Sequence, residues 1–297
     1  MRKFRGTAPR TGEKPGYHRR VDGIASMTRA AESMPSSAYT ALGGNSYRPS
    51  SLTRGPWHPD HQHAGPPIAL ACRVIEDAAL KVGLTHLARL TANLLRPVPI
   101  RDLTVEVITH YVGRNAGHFS ARLMVENKEV ANVTALAQRE NDVKLPDDLP
   151  GHPLPHAPRG PDESPAAIFP FAGKQVGYAD LVETRVARGL FFRGPCAIWF
   201  RLRHPLLENE ESGVYQRVAV AADSGNGISA ILDFARYSFV NLDLTINLLR
   251  KPYGEWICLD ARTSLGPNGG GLAESMLYDV QGFIGRATQN LAIRAHD

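Results

Sequence analysis

The hydrophobic and polar positions along the chain follow one pattern twice. The first long apolar run covers residues 68–82, and its apolar side chains occupy most of a helical circumference, which predicts a helix buried on most sides. Two prolines precede this run and Gly83 follows it, as expected at the two ends of a helix. Apolar segments separated by short polar turns come next and predict an antiparallel meander. The predicted strands of this meander are residues 89–97, 103–111, 119–125 and 130–139.

The same order of elements returns in the second half. The sequence Leu-Thr-Ala-Asn-Leu-Leu-Arg from Leu90 recurs as Leu-Thr-Ile-Asn-Leu-Leu-Arg from Leu244, which is 154 residues further on. Residues 214–223 predict a second helix. The second set of strands is predicted at residues 183–203, 241–252, 256–263, 272–278 and 283–294. We interpret the chain as two copies of one small domain that have diverged after duplication.

This pattern predicts an α+β fold in which each copy wraps an antiparallel sheet around one central helix. A single copy would leave an open sheet edge and an exposed helix flank, and pairing two copies covers both. The expected architecture is therefore a double hotdog, with two tandem units in one chain.

Composition divides the chain into four regions. Residues 1–44 are predicted to be a disordered basic leader, because residues 1–30 hold eight basic and two acidic side chains. Residues 45–140 form the predicted N-terminal hotdog, with a first strand at 46–57. Residues 141–180 contain eight prolines and are predicted to be a linker, and residues 181–297 form the predicted C-terminal hotdog.

Residues 1–30 carry a charge of +6 (eight basic minus two acidic), and the whole chain carries +5, which leaves about −1 for the remaining chain. The folded part therefore shows no general attraction to nucleic acid. No apolar run approaches the roughly 20 residues of a membrane helix. The three cysteines (Cys72, Cys196 and Cys258) are far apart and form no metal-binding pair, which favours a reduced, cytoplasmic setting.

Three polar residues distinguish the second copy from the first. Gln289 occupies the position of Ala135, and Asn241 occupies the position of Leu87. Asp223 ends the apolar run of the second helix, where the helix dipole disfavours a carboxylate. Strand alternation predicts that Gln289 shares the core-facing side of its strand with Phe283, Ala287, Leu291 and Ile293.

Each of these residues also has a purely structural interpretation. Asp223 could open the turn at residues 224–227, since that composition favours an Asx turn. Gln289 could be a buried amide bonded to the backbone, and Asn241 could simply begin a strand. A functional interpretation is favoured because all three differences fall in the same copy.

Several short motifs resemble those of acyl-CoA thioesterases of the thioesterase II type, which are double-hotdog enzymes. The resemblance covers roughly residues 46–297. Its motifs are Gly55-Pro56-Trp57, Ala64-Gly65-Pro66-Pro67, Leu95-Arg96-Pro97, Ala222-Asp223-Ser224, Leu249-Arg250-Lys251-Pro252, Gly254-Glu255-Trp256 and Thr288-Gln289.

The resemblance implies hydrolysis of acyl-CoA to free fatty acid and CoA, as part of lipid metabolism. In that family an Asp, a Ser or Thr and a Gln orient a water on the thioester, and these roles map onto Asp223, Asn241 and Gln289. Asn241 replaces the usual hydroxyl, and Ala64 replaces a common glycine. Asp223 would accept the water proton, with a pKa raised by burial, and a backbone N–H near a helix N-terminus would stabilise the oxyanion. No cofactor or metal is implied, and the expected assembly is a homodimer.

Two other functions stay open. The protein could bind acyl-CoA without turnover, or it could be a hotdog hydratase that uses Asp60, His61 or His63 ahead of the first helix. The same loop also contains His58, but its spacing matches no metal motif, and the role of these histidines stays open. Arg96 and Arg250 could meet CoA phosphates, although pairing with a local carboxylate is the favoured interpretation.

Overall fold

A computed structural model describes residues 33–148, 153–169 and 175–296, and it contains the predicted buried helix as α1 (Gly65–Leu80). Two prolines occupy its first positions, and Gly83 follows it with a φ of +75°. The five consecutive residues 68–72 are each at most 1% exposed, so this part of the helix is buried on every side. The prediction of a helix surrounded by the core is therefore confirmed.

The described strands follow the predicted order in both halves. The first half contains β1 (Tyr39–Gly43), β2 (Ser46–Pro49), β3 (His86–Leu94), β4 (Leu103–Val112), β5 (Ala116–Val125) and β6 (Lys128–Gln138). The second half contains β7 (Ala166–Ala167), β8 (Val182–Arg188), β9 (Cys196–Leu202), β10 (Tyr237–Asn241), β11 (Asp243–Leu248), β12 (Ile257–Leu265), β13 (Gly270–Asp279) and β14 (Gly282–Ala295). Its helices are α2 (Tyr178–Leu181), α3 (Val214–Ala222) and α4 (Gly225–Ile228).

These strands form one antiparallel sheet in the order β1-β2-β4-β5-β6-β3-β11-β14-β13-β12-β9-β8-β7, and β10 also pairs with β14. The two halves meet where β3 pairs with β11. Thr91 lies directly opposite Thr245 there, and their hydroxyl oxygens are 3.2 Å apart. The repeated sequence therefore pairs with itself at the centre of the sheet.

The strand register confirms the alignment of the two copies. Thr91 pairs with Thr134 in the first half, and Thr245 pairs with Thr288 in the second. Leu87 pairs with Ala137 in the first half, and the equivalent pair in the second half is Asn241 with Leu291. In the same way, Phe119 pairs with Ala135, and Ala273 pairs with Gln289. The polar residues of the second copy therefore do replace apolar residues at matched positions.

The two long helices lie together against the sheet. Helix α1 packs on β4, β5 and β6, helix α3 packs on β9, β11 and β12, and the helices also contact each other. Their backbones approach so closely that a Cβ on Gly65 would lie 2.7 Å from the carbonyl oxygen of Val220. Gly65 thus allows the start of α1 to lie beside the end of α3.

The predicted leader extends too far. Residues 39–43 form β1, and Tyr39 is fully buried. The backbone N–H of Tyr39 donates to the carbonyl of Leu206 (2.8 Å), and its hydroxyl donates to Gln62 Oε1 (2.6 Å). These long-range bonds, which local composition does not reveal, fix the segment. Residues 1–32 lie outside the described residues.

The first strand and the linker also differ from the prediction. Strand β2 ends at Pro49, after which Ser50 caps a short 3-10 helix (Ser51–Thr53). Described parts of the predicted linker pack on the second half, since Trp199 Nε1 donates to the carbonyl of Arg159 (2.7 Å) and Tyr178 is buried. Residues 149–152 and 170–174 of that linker lie outside the described residues.

The predicted core-facing side of the last strand is correct for Ala287, Gln289 and Leu291, which are all buried. It is wrong for Phe283, because the register of β13 and β14 shifts at Leu277/Tyr278. This bulge turns Phe283 towards the cluster around Tyr278 on the other face of the sheet.

The contacts of Arg250 confirm the favoured interpretation that this arginine pairs with a local carboxylate. Its guanidinium makes two 2.6 Å hydrogen bonds to the carboxylate of Asp279, whose side chain is fully buried. Arg96 occupies the equivalent position in the repeat, but it is exposed, and its side chain donates to the carbonyl of Glu129 (3.1 Å). It forms no ion pair with another described residue, so the predicted pairing with a carboxylate is not confirmed for Arg96.

The three cysteines are buried and free of disulfide bonds. None of the helices within the described ranges combines the length and apolar character needed to cross a membrane. The same part of the chain contains no group of three or more His, Cys, Asp or Glu side chains placed to hold a metal ion.

Candidate active site

Asp223 lies at the C-terminal cap of α3, and its side chain is 3% exposed. The apolar run before it is buried against the sheet and α1, which carries the carboxylate into the interior. A buried carboxylate at the C-terminal end of a helix is unfavourable unless other groups compensate its charge. Its partners therefore define the site.

The three residues predicted from the sequence lie together. Asp223 Oδ1 accepts hydrogen bonds from Asn241 Nδ2 (3.0 Å) and Gln289 Nε2 (3.3 Å). Asp223 Oδ2 lies 2.9 Å from Nδ1 of His63, which comes from the first half of the chain. Each carboxylate oxygen thus has a hydrogen-bonding partner, and the group spans both halves.

The electrostatics of Asp223 differ from the prediction. Burial by itself raises the pKa of this carboxyl group, but the positive charge of a protonated His63 and the hydrogen bonds from His63, Asn241 and the Gly65 N–H lower it. The net result is a pKa below the usual range, so the expected increase is wrong. Counting burial alone missed the donors that the fold brings to the carboxylate.

Asn226, in α4, connects the two amides. Its backbone N–H donates to Gln289 Oε1 (2.9 Å), and its side-chain Nδ2 donates to Asn241 Oδ1 (3.0 Å). Asn226 Oδ1 is buried and receives no hydrogen bond within the described part of the chain. The site therefore retains one buried acceptor that a small polar molecule can satisfy.

The purely structural explanations of Asp223 and Gln289 are correct only in part. Asp223 directs its carboxylate to His63 and Asn241, so an Asx turn does not account for it. Gln289 does bond to the backbone, since Nε2 also donates to the carbonyl of Asp223 (3.1 Å). The same amide reaches the carboxylate, and it therefore belongs to the site as well.

Tyr178, from the predicted linker, holds His63 in place. The two rings are parallel, with a 5° angle between planes and centroids 3.7 Å apart. The Tyr178 hydroxyl donates to the carbonyl of Val220 (2.8 Å) and lies 2.9 Å from Ser224 Oγ. Burial raises the pKa of Tyr178 above its usual range, so the phenol is neutral.

A cavity of about 390 Å³ lies beside this cluster. Residues 54–59 and 175–179 line it together with Phe169. Asp223, Asn241 and Gln289 are not among its lining residues, so the cavity adjoins the polar cluster through Tyr178 and does not contain it. Its size is at the lower end of the range for small-molecule sites, roughly 300–1,000 Å³.

An aromatic wall continues from this cavity. Phe169 contacts Tyr178 and Phe191, with ring centroids 6.1 and 5.4 Å apart. The wall continues through Phe192 and Phe234 to Trp57, which is 62% exposed. A series of ring contacts therefore links the exposed Trp57 to Tyr178, the residue that stacks on His63.

Sequence reasoning missed His63, Tyr178 and Asn226 as members of this site. The sequence signal that could have indicated His63 is its position directly ahead of a predicted buried helix. In the structure its side chain is only 12% exposed. Tyr178 gave no comparable signal because it lies in a segment whose composition is typical of linkers. His58 and His61 stack on each other, with centroids 4.2 Å apart, and have no contact with Asp223.

Comparison with known families gives one consistent result. The model of the acyl-CoA thioesterase N-terminal domain matches residues 53–138, and the model of the C-terminal domain matches residues 146–293. The two matches together cover most of the chain. A search of curated proteins finds no significant match.

Solved structures share the fold at low sequence identity. A thioesterase II candidate from Thermobifida fusca is 14% identical with a TM-score of 0.65, and the alignment covers 88% of this chain and 96% of that one. A hot-dog-fold protein from Alicyclobacillus acidocaldarius is 14% identical with a TM-score of 0.62, over 88% and 97% of the two chains. An acyl-CoA thioesterase II from Mycobacterium marinum is 16% identical with a TM-score of 0.58, over 87% and 96%. These likenesses establish a hotdog-type fold.

Proposed function

The chain belongs to the acyl-CoA thioesterase family, and on this premise we propose that it hydrolyses acyl-CoA to a free acid and CoA at the cluster around Asp223. In this reaction a water oxygen bonds to the acyl carbon and the carbon–sulfur bond breaks. The thiolate of CoA then takes up the proton that the water has lost. The chain therefore has to supply a basic group, a place for the water and donors for the developing oxyanion.

One observation carries the proposal: a buried carboxylate is held by three side chains from both halves of the fold. Because its pKa is lowered, this carboxylate is ionised at neutral pH and keeps a negative charge in the site. Asn241 and Gln289 fix its position, and the unpaired Asn226 Oδ1 is suited to accept one hydrogen of the attacking water. Because Asn241 forms this bond as an amide, the missing hydroxyl does not by itself argue for an inactive protein.

We also propose that the sheet and helices form a double hotdog. The matched registers of the two halves support it, as does the pairing of Thr91 with Thr245 at their junction. The site lies where the beginning of α1 meets the end of α3. Duplication in one chain would thus place a histidine of one unit beside a carboxylate of the other.

Free-thiol release from short, medium and long acyl-CoAs tests the function. We expect the folded protein to release CoA from at least one chain length with steady-state turnover. The matched measurement is acyl-CoA binding by the same preparation. Retained binding without thiol release on any chain length would contradict the proposal and favour the binding protein, and hydration of an enoyl-CoA would favour the hydratase.

The other expectations from the sequence stay predictions. These are a homodimer, a cytoplasmic location, a role in fatty-acid metabolism and the lack of a cofactor beyond the CoA of the substrate. The acyl-CoA panel addresses the metabolic role, because it measures which chain lengths are turned over.

A further inference from the structure

We propose that His63 is the general base of this site and that Asp223 positions it. The inference deepens the proposed function and rests on it, since it concerns the same hydrolysis. It differs from the expectation that Asp223 takes the water proton directly.

The surroundings of Asp223 leave little room for a direct role. Its side chain is 3% exposed, and both carboxylate oxygens already have protein partners in His63, Asn241 and Gln289. Because only 3% of the side chain is exposed, water has little access to the carboxylate itself. A carboxylate held in this way is suited to orient a neighbour and to balance its charge.

His63 has the complementary geometry. Its Nδ1 lies 2.9 Å from Asp223 Oδ2, so the proton of the neutral imidazole belongs on Nδ1. The lone pair then belongs to Nε2, which forms no hydrogen bond to another described residue. The side chain is 12% exposed, in contrast to the buried carboxylate, so substrate and water can reach it.

The ring cannot easily turn away from this orientation. Tyr178 stacks on one face at 3.7 Å and is itself fixed by hydrogen bonds to Val220 and Ser224. The same tyrosine lines the cavity that opens to solvent. His63 is not itself among the lining residues, so a thioester in this cavity would lie beside the tyrosine that fixes the plane of the His63 ring.

The proton balance closes without any further reactant. Nε2 accepts a proton as the water oxygen bonds to the acyl carbon, and the imidazolium is stabilised by the Asp223 carboxylate. Collapse of the tetrahedral intermediate breaks the carbon–sulfur bond. Nε2 then returns the proton to the departing thiolate, which leaves a free acid, a free thiol and neutral His63.

The groups packed around His63 are consistent with this assignment. Asp223 is the carboxylate that contacts it, and the stacked Tyr178 is neutral because burial raises its pKa. The Gly65 N–H, at the start of α1, is directed at both His63 Nδ1 (3.3 Å) and the Asp223 carboxylate, whose pKa it lowers. With the proton on Nδ1, the ring nitrogen has no lone pair to accept with, and this N–H donates to the carboxylate. Titration of the carboxylate therefore occurs at lower pH than it would without these partners.

His63→Asn is the sharpest test, because the amide of Asn can replace Nδ1–H towards Asp223 but has no basic nitrogen in place of Nε2. We expect kcat to fall by about 10²–10⁴ with little change in KM, and the acidic limb of the pH profile of kcat/KM to disappear. His118→Asn, at an exposed position of β5 that three strands separate from β14, is the matched control and should keep wild-type kinetics.

A second variant separates a base from a structural role. Free imidazole should restore thiol release in His63→Ala in proportion to its basic form, and it should not accelerate the wild type. A folded His63→Asn variant that keeps kcat within about threefold, with the acidic limb intact, would overturn the role of His63 while the thioesterase activity of the wild type stands. Lack of activity in the wild type would instead contradict the proposed function.

Discussion

Replacing Asp223 with Asn is expected to lower kcat for thiol release by about 10³–10⁴ with little change in KM. An amide at this position can donate to His63 Nδ1, which moves the imidazole proton to Nε2 and removes the base. In the serine-protease triad, loss of the correct histidine tautomer lowers kcat by about 10⁴, and we expect a loss of similar size here. Steady-state kinetics on the best acyl-CoA of the panel measure it.

The control for this variant is Asp102→Asn. Asp102 forms an exposed ion pair with Arg48 at 2.9 Å, far along the sheet from the site. The Asp102→Asn substitution should leave kcat unchanged. Turnover by Asp223→Asn within tenfold of the wild type, with the fold intact by circular dichroism, would contradict the assignment of the carboxylate.

Replacing Arg250 with Met is expected to reduce the free energy of unfolding by about 2–4 kcal/mol. The substitution leaves the fully buried Asp279 carboxylate without its bidentate partner. Removing one member of a buried pair costs up to about 5 kcal/mol, but Arg250 is 33% exposed and the N–H groups of Tyr253 and Gln281 still bind the carboxylate. Urea unfolding gives the difference.

The repeat provides a matched control in Arg96→Met. This arginine has the same place in the first copy but is exposed, and no buried carboxylate among the described residues pairs with it. Arg96→Met should shift the urea midpoint of unfolding far less than Arg250→Met does. Equal shifts for the two variants would show that the buried ion pair does not stabilise the fold.

The sequence allowed the repeat, the helix and most strands to be predicted because these depend on local patterns. Leu90 and Leu244 begin the two copies, and their alignment is reproduced by the strand register around Thr91 and Thr245. The same alignment marked Gln289 and Asn241 as polar replacements. Comparison of the two copies thus indicated candidate site residues, which the sequence of a single unrepeated domain would not have done.

The rest depended on contacts across long sequence distances. His63 and Asp223 are 160 positions apart, and nothing in the local sequence of either one indicates the other. Tyr178 belongs to a proline-rich segment whose composition suggested an extended linker. The raised pKa expected for Asp223 was wrong for the same reason, because burial is visible as an apolar run while donors from other strands and loops are not.

A double-mutant cycle on His63→Asn and Asp223→Asn tests the central claim most directly, namely that one residue from each half acts as a single catalytic unit. Residues that act as a unit show strongly non-additive effects. We predict that the double variant hydrolyses acyl-CoA within about threefold of the slower single variant. If the two losses in kcat multiply instead, the residues act independently and the account of a base positioned by a carboxylate is wrong.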